Sequence, residues 1–179
     1  MTSTHPRPSL AMAVPVPGTY LVDPARSTVT FSMRHMFGLG GVSGSFQVRS
    51  GSITIADPPA GSSVRGEVDA ASFRTGNKVR DRQVISGTFL DAGSFPVISF
   101  RSTSLRRADP GWILAGELTA RGAKAPAEFT ITHVGTTRDG DLTVSAEGSV
   151  DRYQHRITAM KGMAGRRLRI RLAVTAKPA

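Results

Sequence analysis

From residue 18 onward, hydrophobic positions recur at nearly every second residue, the period of a strand with one buried face. Val29, Phe31 and Met33 alternate with Thr28, Thr30, Ser32 and Arg34, and Val42, Gly44, Phe46 and Val48 alternate with Ser43, Ser45, Gln47 and Arg49. Val64, Gly66, Val68 and Ala70 oppose Arg65, Glu67 and Asp69, while Ile98 and Phe100 oppose Ser99 and Arg101. Trp112, Leu114, Gly116 and Leu118 form a further run, followed by Ala127, Phe129 and Ile131, then Leu142, Val144, Ala146 and Gly148. The last run is the clearest: Leu168, Ile170, Leu172 and Val174 face one way, Arg167, Arg169 and Arg171 the other. Turn signals separate the runs at Gly38–Gly41, Asp57-Pro58-Pro59, Ala108–Gly111 and Arg138–Asp141. Evenly spaced strands with one apolar face predict an all-β domain, either a closed antiparallel barrel or a sandwich, and closure would also remove exposed strand edges. Segment 74–95 breaks the alternation. There Asn77 is placed to cap a short helix near 77–86 that Gly87 ends, lying across a barrel mouth or side.

Composition bounds this picture. Hydrophobic residues are 39% of 179, with 19 glycines besides, an ordinary globular share that can build a core and favours a single domain over 18–179. The chain has no cysteine, which excludes a disulfide scaffold, a thiol nucleophile and a thiolate metal site. No apolar run reaches the roughly 18 residues of a membrane-spanning helix. Residues 1–17, with Pro6, Pro8, Pro15 and Pro17, read as a disordered proline-rich tail. Its apolar stretch Leu10–Val14 is too short for a secretory signal, which predicts a cytoplasmic protein, whereas an upstream start would make it secreted or periplasmic.

Charge is the abnormal quantity: 23 Lys and Arg against 13 Asp and Glu give +10. Such an excess fits nucleic acid, an anionic membrane or an acidic small ligand, and it equally fits a surface that is merely basic. The basic residues spread from Arg26 to Lys177 without a tail-like block, densest at Arg166, Arg167, Arg169 and Arg171, and parity puts the last three outside. The polar strand faces carry Thr, Ser and Arg with little aromatic interleaving, which argues against nucleic acid. No nucleotide loop, nucleophile elbow or zinc-binding helix motif is present. Gly38-Leu39-Gly40-Gly41 lacks the lysine and following helix of a phosphate loop and reads as a turn. His35 and His133 share the parity of the inward faces, where lone histidines are more often hydrogen-bonded core residues than metal ligands.

Four segments carry more. The first runs from Tyr20-Leu21-Val22-Asp23-Pro24 through Ser27, Phe31 and His35 to Val42-Ser43-Gly44-Ser45-Phe46. The second is Ser72-Phe73-Arg74-Thr75-Gly76-Asn77 with Arg80-Asp81, and the third is Phe89-Leu90-Asp91 followed by Phe95-Pro96-Val97 through Thr103. The fourth is Gly116-Glu117-Leu118-Thr119-Ala120-Arg121-Gly122, closed by Pro126. In this order and spacing, over roughly residues 19–176, the chain resembles the YceI-like, polyisoprenoid-binding, lipocalin-like family. The resemblance implies a single closed antiparallel barrel of about eight strands, whose elongated apolar lumen takes a long isoprenoid chain or comparable amphiphile.

On that reading the ligand-contacting set is Phe31, Met33, His35, Phe46, Phe73, Arg80, Phe100, Trp112, Leu114, Phe129 and Ile131. Small residues on presumed inner faces (Gly44, Gly66, Ala70, Gly116, Ala127, Ala146, Gly148) either leave room for a ligand or mark strand bends. Thr75, Asn77, Arg80 and Asp81 form the best polar constellation: either a capped turn, or a place where Arg80, with Arg82 and Arg121, meets an anionic head group. The chain departs from the family at Arg26, where histidine is frequent, and at Gln83-Val84, where His-Leu is frequent. It departs again at Arg152-Tyr153-Gln154-His155-Arg156, which replaces an Arg-x-Asp-aromatic-Gly pattern. The fold is not expected to depend on these positions, although a head-group contact would. The expected function is carriage or sequestration of an isoprenoid-type lipid, without catalysis, metal or any cofactor other than that lipid. A hydrophobic small molecule is the expected partner, compatible with transient membrane contact and a homodimer and with no specific nucleic acid. The alternative is a basic barrel module that binds nucleic acid or an anionic membrane surface.

Overall fold

The computed structural model describes residues 14–34, 40–109 and 111–179. Its elements in chain order are β1 (Gly18–Val22), β2 (Thr28–Arg34), β3 (Gly41–Ile55), β4 (Ser63–Arg74), α1 (Lys78–Ile85), β5 (Val97–Ala108), β6 (Gly111–Ala120), β7 (Ala123–Thr136), β8 (Leu142–Asp151) and β9 (Arg167–Pro178). Hydrogen bonding runs β3–β2–β9–β8–β7–β6–β5–β4 and returns to β3, so eight antiparallel strands close into a barrel. β1 pairs with β3 and β9 as β2 does, further along (Leu21 opposite Ser52 and Lys177). β1 and β2 are therefore one stave broken in the middle.

The break has a local cause. Pro24 has no N–H to give the ladder, and Asp23 Oδ1 accepts the Ala25 N–H at 3.1 Å, turning Pro24–Arg26 into one 3-10 turn. Ser27 repairs the pairing: its Oγ donates to the Thr175 carbonyl at 3.3 Å and accepts from the Thr175 N–H at 3.1 Å. Arg26 donates to Asp141 at 2.5 Å and so fastens the break to the β7–β8 turn.

Alternation decides the faces as the sequence pattern predicts. Leu168, Ile170 and Leu172 point into the barrel, whereas Arg169 and Arg171 stand outside and reach Glu147 at 2.8 and 3.3 Å. The pattern fails where a bulge inserts a residue. Pairing slips between Ile131 and His133, which turns His133 out to solvent and Val134 inward, reversing the parity expected for His133. β4 loops out between Asp69 and Arg74 against only Ser45–Gln47 of β3, held by Ser72 Oγ accepting the Gln47 N–H at 2.7 Å. That bulge brings Phe73 inside, although simple alternation from Val68 would have sent it out.

The helix lies where the sequence predicts it. Asn77 Oδ1 accepts the N–H groups of Val79 and Arg80 at 3.1 and 3.0 Å, and Ser86 ends the helix one residue before Gly87. The helix packs on the barrel through Val84 and Ile85. His35, most of the predicted tail, and Gly38 and Leu39 of the Gly38–Gly41 turn lie outside the described residues.

Three of the small inner residues are floors for aromatic rings. A Cβ on Gly44 would stand 2.7 Å from Phe31 Cζ, one on Gly116 2.5 Å from Phe100 Cζ, and one on Gly148 2.6 Å from Phe129 Cδ1. Their missing side chains make room for phenylalanine. Gly66 differs: nothing lies within 4 Å of its would-be Cβ, and it borders the lumen. Gly148→Ala should therefore lower unfolding free energy by about 1–3 kcal/mol, while Gly66→Ala should change it by less than about 0.5 kcal/mol. Urea melts of the two variants check this contrast.

Candidate functional site

The barrel encloses a cavity of about 270 Å³. Its wall is built from inward residues of every barrel strand: Phe31 and Met33 (β2), Phe46 and Val48 (β3), Val68 and Phe73 (β4), Phe100 (β5), Leu114 and Leu118 (β6), Phe129 (β7), Val150 (β8), and Leu168 and Ile170 (β9). The two ends are packed by different clusters. Along β9, Leu168 and Ile170 pack on a cluster of Phe31, Phe73, Phe89, Leu90 and Ile157, whereas Val174 and Ala176 join Tyr20, Ile53 and Leu142. The first cluster is roofed by α1 and by the segments after α1 and after β8, which add Val84, Phe89, Leu90 and Ile157 to the lumen wall.

Aromatic rings set the shape of the wall. Phe31 stacks on Phe73 with centroids 4.8 Å apart, Phe46 meets Phe73 edge-on at 5.5 Å, and Phe100 meets Phe129 edge-on at 5.2 Å. Of the expected contact set, the structure brings Phe31, Met33, Phe46, Phe73, Phe100, Leu114 and Phe129 to this one cavity. Trp112 and Ile131 are not on its wall. They share the inward parity but pair with each other one step nearer the β5–β6 turn, and Arg107 lies over the Trp112 ring at 5.9 Å. Parity fixes the face of a strand and not the height along the barrel.

Arg80 is also off the wall. Its Nε donates to Thr75 Oγ1 at 2.9 Å, and that hydroxyl donates in turn to Asp81 Oδ1 at 2.6 Å, which also accepts the Thr75 N–H at 3.0 Å. Thr75, Asn77, Arg80 and Asp81 thus make a helix-entry cap. Arg121, at φ +47°, donates to the carbonyls of Gly87 (2.8 Å), Phe89 (3.0 Å) and Arg156 (3.2 Å), so it ties the roof segments together.

The buried polar side chains that border the lumen are Arg152 and His155, at the segment expected to leave the fold unaffected; Ser50, Arg65, Glu67 and Ser99 also line it and are exposed or half-buried. The expectation is reversed, because Arg152 is a hub. It is only 4% exposed, and it donates to Gly165 (Nε, 2.7 Å), Ile157 and Ala159 (Nη1, 2.7 and 2.8 Å) and Ala164 (Nη2, 3.2 Å), drawing the whole 157–165 loop onto the barrel end. Burial pushes its guanidinium below the ordinary range, offset in part by Tyr153 and Asp151. Asp151 caps the 3-10 turn Arg152–His155 by accepting the Tyr153 N–H at 3.0 Å, and its carboxylate is held by Arg166 at 2.7 Å. His155 is 2% exposed and its Nδ1 meets the Ala123 carbonyl at 2.9 Å. Both residues fall outside the expected ligand-contacting set, although their segment is one on which a head-group contact is expected to depend. The available signal was an Asp-Arg pair at a strand end with a histidine three residues on. Among the described residues, no group of three or more His, Asp or Glu converges as a metal site.

A closed eight-stranded antiparallel barrel with an apolar lumen, roofed by a short helix, defines a lipocalin-like class of protein. The YceI-like domain model matches residues 20–176, and the chain belongs to that family. An UPF0312 protein of Vibrio vulnificus is 30% identical over 138 residues, covering 73% of this chain and 72% of its own. One of Yersinia enterocolitica is 28% identical over 151 residues, covering 82% and 78%. Among solved structures, Burkholderia cenocepacia BcnA superposes with a TM-score of 0.74 at 19% identity, covering 87% of this chain and 99% of its own. A polyisoprenoid binding domain from Saccharophagus degradans superposes at 0.66 with 12% identity, covering 89% and 98%.

Two predictions concern the hub. Arg152→Met would leave buried carbonyls without donors and should cost about 2–4 kcal/mol, read from urea midpoints. The Arg166 hydrogen bond holds the Asp151 carboxyl below its usual range. A depressed folded value contributes stability above the unfolded one and loses it as pH falls through the folded one. Asp151→Asn should accordingly flatten the loss of stability below about pH 4, measured by urea melts across that range.

Proposed function

We propose that the barrel binds a long isoprenoid-type lipid, or an amphiphile of similar shape, in its lumen, and carries or sequesters it without chemical change. The observation that supports this best is the lumen itself: a cavity of about 270 Å³ walled by phenylalanine and aliphatic side chains from every barrel strand. Space of that kind fits a slender apolar chain, which gains roughly 25 cal/mol per Å² of apolar area removed from water before ordering costs. The Saccharophagus degradans domain that shares the fold is itself a polyisoprenoid binding domain. On this reading the outer basic surface faces solvent or passes transiently along a membrane, and the lumen is the site of specificity.

Native mass spectrometry of the purified protein, followed by organic extraction, should release a long-chain lipid unchanged by incubation with the protein. A blocking variant gives the structural control. Gly66 borders the lumen with open space at its Cβ, so Gly66→Phe should place a ring in the cavity and weaken lipid binding at least about tenfold. Its urea midpoint should stay close to that of the parent. Retained binding in the folded variant, or turnover of the lipid by the parent, would overturn the reading.

A further inference from the structure

Arg152 and His155 stand three residues apart in a 3-10 turn, where side chains at that spacing eclipse one another. Both are buried and both border the lumen, while Tyr153 and Gln154 between them turn outward. In a mostly aliphatic and aromatic wall, this turn sets the two buried polar side chains of the lining side by side at the roofed end, apart from the exposed or half-buried Ser50, Arg65, Glu67 and Ser99.

Their remaining capacity is complementary. A carbonyl only accepts, so the contact with Ala123 at 2.9 Å requires the hydrogen of His155 to sit on Nδ1. In the neutral ring, Nε2 is then a pure acceptor; it takes no hydrogen bond from the described residues, and since no fully occluded side-chain nitrogen or oxygen among them lacks a partner, it keeps some accessible surface. Arg152 has five N–H donors, of which the Gly165, Ile157, Ala159 and Ala164 carbonyls use one each, leaving an Nη2 hydrogen. Those four oxygens, with the neighbouring Asp151, already surround the guanidinium charge with negative ends of dipoles, so it does not need an anion from the ligand.

Resting on the lipid-binding reading, we propose that this turn is a head-group subsite for a single hydroxyl. The ligand's O–H donates to His155 Nε2, and its oxygen accepts from Arg152 Nη2. The site therefore takes an isoprenoid or comparable long-chain alcohol. A phosphate or carboxylate would set its lone pairs against the lone pair of Nε2. Head-group recognition belongs to the barrel floor under α1 and not to the helix-entry residue Arg80, whose Nε is taken by Thr75.

Geranylgeraniol, its methyl ether and its monophosphate, titrated against the full chain, test the assignment. The ether keeps the oxygen acceptor and lacks only the donated hydrogen. The parent should bind the alcohol about fivefold or more tighter than the ether, and tighter than the monophosphate. His155→Phe should bind alcohol and ether alike, at the affinity of the ether. Should that variant fail to fold, nitrogen NMR of the parent carries the test: the His155 Nε2 resonance should move upfield with the alcohol and not with the ether. Equal affinity of the parent for alcohol and ether, tighter binding of the monophosphate, or an unmoved Nε2 resonance would overturn the subsite while leaving lipid binding intact. If none of the three binds the parent, the lipid-binding reading itself falls, and the subsite with it.

Discussion

Phe31 sits opposite Ile170 where β2 meets β9, at the seam that closes the barrel between the start and the end of the domain. The other features of the molecule depend on that pairing. Closure leaves no free strand edges in the barrel and gives every strand one face that must be filled from within. An interior bounded by eight strands has room for large side chains or for one slender ligand. Phenylalanines therefore enter it, and to lie against the wall they need glycine beneath them: Phe31 over Gly44, Phe100 over Gly116, Phe129 over Gly148. The rings thicken the wall and a cavity remains between them.

The fold was legible because the alternation is strong on most strands and because turn residues punctuate it. The Leu168–Val174 run assigned its faces by parity alone, and the side chain of Asn77 located the helix start to within a residue. The site was legible only in part, for reasons that are geometric. Parity has no information about height, which is why Trp112 and Ile131 were grouped with Leu114 and Phe129 although they pair beyond the cavity. Bulges at Ile131–His133 and after Asp69 shift a strand by residues that no periodicity records, reversing His133 and bringing in Phe73 by a route alternation does not give. Arg152 was invisible as a structural residue because its partners are backbone carbonyls of a loop, and carbonyls carry no sequence signature.

The same point revises what the charge means. A net +10 invites a search for an anionic partner, yet several arginines work as fasteners. Arg26 binds the broken first stave to the β7–β8 turn, Arg121 binds three roof carbonyls, and Arg152 binds four more. Guanidinium suits this work because its planar fork presents several donors in fixed directions and can hold a loop that has no regular ladder of its own. Arg166 completes the group, joined to Asp151 and lying over the Tyr153 ring at 4.9 Å. Part of the basic excess is thus internal wiring at the ends of the barrel, where strands stop and backbone groups need partners.

A lumen walled in this way discriminates poorly among apolar chains. Each added methylene gains about 0.8 kcal/mol on any of the aliphatic or aromatic surfaces, whatever the branching of the chain that brings it. Affinity therefore grows with buried length until the chain meets the packed ends. Chemical selection must come from groups whose hydrogen bonds the wrong ligand would leave unmade, because an unpaired polar atom in an apolar cavity costs more than a paired one contributes. In this barrel the buried polar side chains of the lining are those that the 3-10 turn after β8 brings to the wall, Arg152 and His155. The turn is capped by Asp151 and anchored through Ala123 and the 157–165 loop, contacts that fix its donors and acceptors in direction without any ligand. On the proposed reading, the wall would set how tightly a chain is held, and the turn beneath the roof which end of it is accepted.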